Sequence, residues 1–119
     1  MEDLQEAVKK FVEERNWAKT EYTKDVLLNI TEEVSEMWNI IKYTEGKTQL
    51  ELIEKNRPEV ENFIGDLTYL ILKLAVQFNI DASVAVKKVL EEYEKRFPVD
   101  KVKGKHNNRN AGGFDGKYK

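Results

Sequence analysis

The sequence predicts an all-α fold: a four-helix bundle protomer that assembles as a homo-oligomer. Three observations lead there. Apolar residues recur at helical spacing through most of the first 97 positions. No segment alternates convincingly at strand spacing. Both prolines, Pro58 and Pro98, fall at the edges of periodic runs, where a helix begins or stops. A chain of 119 residues can bury one core and is too short for two.

The first helix is expected from about Asp3 to Trp17, with Leu4, Val8, Phe11 and Val12 on one side. Residues 20 to 24 are polar and non-periodic and read as a connection. A second helix starts near Lys24 or Asp25, carries Val26, Leu27, Ile30, Val34, Met37, Trp38 and Ile41, and stops near Gly46, a C-terminal breaker. Residues 47 to 57 are polar and helix-tolerant, with room for one or two turns. Pro58 opens the third helix, whose apolar stripe runs from Val60 through Phe63, Ile64, Leu70, Ile71 and Leu74 to Phe78. "NID" at 79–81 interrupts it, and Asp81 is an N-cap for a fourth helix reaching Phe97. The bundle domain is placed at 1–98 and a basic, Gly- and Asn-rich tail at 99–119. The third stripe is too wide for so few elements to cover, hence the expected homodimer or homotetramer.

Composition excludes several classes. Without cysteine there is no disulfide framework, thiolate zinc site or cysteine nucleophile. The N-terminal stretch is polar, and no apolar run reaches membrane-spanning length, so a soluble, cytoplasmic protein with no membrane partner is expected. A net charge of −2 argues against a stable nucleic-acid partner. That charge is uneven: six Lys or Arg against two Asp in 99–119 leave the tail at +4 and the rest at −6. The tail reads as a solubilising terminus, or as an arm that meets something anionic.

The chemistry-bearing stretch is "NITEEVSEMW", residues 29–38. Wound at helical pitch from Val26, Glu33 falls roughly at 340°, on the shoulder of the apolar arc, with Glu36 roughly at 280° and Glu32 roughly at 240°. On the third helix Asp66 takes the same shoulder position. Facing carboxylates inside a bundle are costly unless a cation neutralises them. Oxygen ligands suit Mg²⁺ or Mn²⁺, whereas the lack of cysteine and the single histidine, His106, disfavour zinc. The alternative is a solvated acidic face, and geometry alone leaves both open.

Taken together, these segments resemble the MazG-like nucleoside triphosphate pyrophosphohydrolases, the all-α group that includes the dCTP pyrophosphatases. "EEVSE" (Glu32, Glu33, Glu36) resembles that family's Glu-Glu-x-x-Glu. "FIGDLTYLILKLAVQFNIDASVAVKKVL" follows its run from the second acidic motif through an apolar helix and a G/N-I-D turn. "KRFPVDKVKG", with Arg96, resembles its Arg-Tyr-Pro ending, and "FVEERNW" its Arg-Asp-Trp segment. The likeness covers roughly residues 8 to 104. It implies Mg²⁺-dependent hydrolysis of an NTP or dNTP to the monophosphate and pyrophosphate, chemistry that asks mainly for positioning and charge neutralisation. It implies Glu33, Glu36 and Asp66 as metal ligands and Glu32 or Glu33 as the water-activating group. Trp17 and Tyr43 are candidates for contact with the base, or else ordinary packing and rim aromatics.

The chain departs from that pattern in places that touch metal or substrate. Phe63 stands where the second motif has its first Glu. Glu61 points away from Asp66, and Glu59 is two turns back, roughly 10 Å along the axis. Asn62 is one turn from Asp66 on the same side and offers a neutral amide oxygen. The last helix has Val89 and Tyr93 where the family has Lys and Asn, so Lys87 and Lys88 are partial substitutes for a phosphate-binding lysine. Lys101, Lys103, Lys105 and Arg109 in the tail are others. A competing reading is therefore a catalytically impaired relative that binds a nucleotide or a protein. A third is a helical assembly module with a merely acidic surface.

Overall fold

The computed structural model describes residues 2–103, and every regular element among them is helical. In order they are α1 (Glu2–Glu14), a 3₁₀ turn (Thr20–Tyr22), α2 (Thr23–Ile41), α3 (Gly46–Lys55), α4 (Arg57–Gln77), α5 (Ala82–Arg96) and α6 (Val99–Val102). The chain divides into two compact units, Met1–Ala82 and Ser83–Lys119.

Helix boundaries depart from expectation where local chemistry overrides periodicity. α1 stops at Glu14 and not at Trp17, because Asn16 adopts a left-handed φ of 57° that asparagine tolerates. The Trp17 N–H then reaches back to the Val12 carbonyl at 2.7 Å, and that of Asn16 to Glu13 at 3.0 Å. This is the Schellman arrangement, and its usual apolar contact is supplied by Trp17 lying edge-on to Phe11. α4 ends identically: Asn79 has φ 53°, Ile80 N–H donates to Ala75 O at 2.8 Å and Asn79 N–H to Val76 O at 3.2 Å.

Other boundaries move as well. α2 begins at Thr23, whose hydroxyl donates to the Thr20 carbonyl at 2.6 Å, and ends at Ile41. Thr44 closes that end by donating both its N–H and its hydroxyl to the Ile41 carbonyl, each at 2.9 Å. Gly46, expected to stop α2, instead starts α3 with a φ of 53°. The stretch allotted one or two turns is a ten-residue helix. Its Lys, Gln, Leu and Glu residues are strong helix formers, and Leu52 and Ile53 give it a half-buried side. Asn56 caps it with its side-chain amide on the Leu52 carbonyl at 2.8 Å, and α4 follows at once with Pro58 in its first turn. Beyond Pro98, where no helix was expected, α6 adds one turn.

In the first unit α4 is the hub, packed by α1 and by α2, while α3 touches both α2 and α4. Leu72, Ala75 and Ala82 form the core with Val8 against them, and Val12 and Val26 are fully buried. Two glutamines tie distant segments to this hub. Gln5 donates to the Ile80 carbonyl at 2.7 Å and accepts from the Ala82 N–H at 2.9 Å, which satisfies one of the orphan donors at the start of α5. Gln77 is buried and donates to the Lys19 carbonyl at 3.0 Å, fixing the segment after α1. Of the wide third stripe, Leu70 is buried and Phe63 and Leu74 are half-buried, while Ile64 and Ile71 stay exposed. Among the described residues no single helix is long and apolar enough to cross a membrane.

Candidate acidic cleft between two helices

Antiparallel packing of α2 on α4 sets the later turns of α2 beside the first turns of α4. Between them lies a cleft of about 480 Å³, bounded by Glu33, Glu36, Met37 and Ile40 from α2 and by Pro58, Glu59, Asn62 and Phe63 from α4. Periodicity explains the α2 wall: Glu33, Met37 and Ile40 lie on the helix shoulder that faces α4, all half-buried. Glu32 is exposed and lies outside this lining.

The electrostatics are those of crowded carboxylates. Glu33 is pushed above the usual carboxylate range, first by partial loss of water and then by the negative charges of Asp66, Glu36 and Glu32. Asp66 is half-buried, and one oxygen accepts from the Asn62 amide nitrogen at 2.9 Å. That bond spends the amide's donor on Asp66 and leaves its carbonyl oxygen as the group with ligand character. Among the described residues no three His, Cys, Asp or Glu side chains stand close enough to share one metal ion. The carboxylates are thus near enough to repel one another, but they are not gathered into a cage.

Glu59 is the residue that sequence reasoning undervalued. Although it is two turns from Asp66 along α4, it lines the cleft together with Glu33 and Glu36. The antiparallel course of α2 was the missing signal, since it carries Glu36 toward the start of α4. Phe63 forms part of the wall, so an apolar ring occupies the place where the resemblance implies an acid.

The remaining candidates lie elsewhere. Trp17 borders a separate groove between α1 and α4 that shares no residue with the acidic cleft. Tyr43 sits in the turn after α2, almost fully exposed, with the Lys42 ammonium over its ring at 5.1 Å. Lys87 and Lys88 are exposed on α5 in the second unit. Arg96 is half-buried there, paired with Glu92 at 3.2 Å and lying over the rings of Tyr93 and Phe97. Lys101 and Lys103 are exposed, whereas Lys105, His106 and Arg109 lie outside the described residues. The chain matches no family model, no curated protein and no solved structure.

Proposed function

We propose that this protein is a Mg²⁺-dependent nucleoside triphosphate pyrophosphohydrolase of the MazG-like kind, acting in the cytoplasm on an NTP or dNTP. The observation that carries the reading is the mutual repulsion at the acidic cleft. The Glu33 pKa is raised first by partial loss of water and then by the charges of Asp66, Glu36 and Glu32, and a divalent cation relieves such a cluster. Glu33, Glu36 and Asp66 would hold Mg²⁺ (or Mn²⁺) once drawn together, with the Asn62 oxygen and Glu59 at the margin. Magnesium would supply charge neutralisation for the polyphosphate. Glu32, outside the cleft lining, is the weaker candidate for orienting water, and Glu33 the stronger. Lys87, Lys88 and Arg96 remain the substrate-phosphate candidates, and Trp17 and Tyr43 the base candidates, on the resemblance alone.

Self-association belongs to the same reading. Among the described residues six apolar side chains are buried, against nineteen large hydrophobic ones left exposed. That imbalance leaves faces for a homodimer or homotetramer to cover and complete the bundle. On α2, exposed Leu27, Val34 and Trp38 recur at helical spacing beside the buried stripe.

The test is pyrophosphate release from a panel of NTPs and dNTPs, with Mg²⁺ and with EDTA, for the native chain and Glu36→Gln. Release that requires Mg²⁺ and falls by about 100-fold or more in the variant supports the reading. One observation favours a second reading, a catalytically impaired nucleotide-binding relative: the Phe63 ring in the cleft wall. In that case nucleotide with Mg²⁺ raises Tm but no pyrophosphate appears.

A further inference from the structure

The other side of α4 holds a feature that the acidic cleft does not use. α1 and α4 enclose an open groove of about 750 Å³, a volume within the range of small-molecule sites. Its lining is apolar, and three of its side chains, Phe11, Trp17 and Tyr69, bring their rings together. Two cations outside the lining stand over two of those rings. The Arg15 guanidinium lies 3.8 Å from the centre of the Phe11 ring, and the Lys73 ammonium 5.7 Å from that of Trp17. Neither has a carboxylate partner among the described residues, although the chain carries a net negative charge.

We propose that this groove binds a small anionic amphiphile, with its apolar or flat aromatic body along the lining and its acid group toward Arg15 and Lys73. The charge pattern chooses the ligand. Arg15 already donates to the Phe11 carbonyl at 3.0 Å, and a neutral apolar molecule would gain nothing from its charge or from that of Lys73. A second copy of the chain is the rival occupant, and the experiment separates it. The inference is independent of what the acidic cleft does.

The structure also supplies a blocking variant. A Cβ added at Gly65 meets no atom within 4 Å, and the residue sits in regular helix, so Gly65→Leu fills the groove without displacing packed neighbours. Two fluorescent probes, anilinonaphthalene sulfonate and its uncharged counterpart phenyl-naphthylamine, are titrated into the full chain. The expected result is saturable binding of one probe per chain, with the sulfonate favoured about fivefold or more. That preference should vanish in Arg15→Gln/Lys73→Gln, and both probes should be lost in Gly65→Leu at unchanged helicity. Equal affinity for the two probes overturns the proposal, as does binding that survives Gly65→Leu. A groove that accepts neither probe until the chain is diluted to monomers overturns it in favour of the second copy. If Gly65→Leu fails to fold, the comparison of probes in the double variant still decides the question.

Discussion

The two sides of α4 differ sharply: one packs apolar side chains, and the other crowds carboxylates together. Toward α1 it presents Leu72, almost fully buried, above an apolar groove whose polar groups are few. Toward α2 it presents Glu59, Asn62 and, one turn on, Asp66, opposite Glu36 and Glu33, and the charges of Asp66 and Glu33 repel. The first side gains from removing water from hydrocarbon. The second loses by holding like charges together, and such a loss persists where a ligand offsets it. A sharp expectation follows: substitutions on the α1 side should destabilise, and neutralising substitutions on the α2 side should stabilise.

The largest effect should come from the α1 side. Leu72→Ala removes a side chain from the small core and should cost about 2–5 kcal/mol, read as the shift in urea midpoint. Because the described core is small, the upper half of that range would leave little native protein. A loss below about 1 kcal/mol would mean that the groove side is not where the unit is held together.

Glu33→Gln should act in the opposite direction. The raised pKa means that the folded state holds the Glu33 proton more tightly than the unfolded chain does. Its contribution is therefore full below the unfolded value and is lost as pH rises through the folded one. Glu33→Gln should thus raise Tm at pH 7, with the advantage shrinking as pH falls into the carboxylate range. Adding Mg²⁺ should raise the native Tm and leave that of the variant unchanged. A variant less stable than native at pH 7 without metal would break the contrast between the two sides.

Phe63→Glu sharpens the comparison within the cleft itself. The ring is half-buried in the wall, so its loss removes apolar contact, while the new carboxylate supplies the acid that the resemblance implies. The expected outcome is a moderate loss of stability without metal, about 1–3 kcal/mol, together with tighter Mg²⁺ binding by calorimetry. Loss of stability with no gain in magnesium affinity would assign Phe63 to packing alone.

Much of this contrast could be read from sequence. The α2 wheel placed Glu33 on the shoulder of the apolar arc, and the structure finds it half-buried against α4. The apolar stripe, Pro58 and the "NID" turn placed α4 closely. Three features escaped. Asn16 and Asn79 in left-handed geometry end their helices through backbone hydrogen bonds that periodicity does not encode. α3 is long because half-burial of Leu52 and Ile53 adds to the helix propensity of its Lys, Gln, Leu and Glu residues. Glu59 needed the direction of α2 relative to α4, which is a tertiary fact.

The smallest effect tests the break between α3 and α4, just before the cleft-lining Pro58 and Glu59. Arg57 bridges that break, pairing with Glu54 at 2.9 Å and Glu61 at 3.3 Å. All three side chains are mostly exposed, so solvent screens the pairs and long side chains lose entropy in forming them. Asn56 already caps α3 through its amide, and Pro58 already sets the first turn of α4, so the junction does not depend on the ion pairs. Arg57→Ala should therefore cost no more than about 1 kcal/mol, and raised salt should weaken the native chain by a similar or smaller amount while leaving the variant unmoved. A larger loss would mean that the α3–α4 junction holds the acidic cleft in shape. Magnesium-dependent stabilisation would then fall together with Arg57, tying the charge of the cleft to a residue outside its lining.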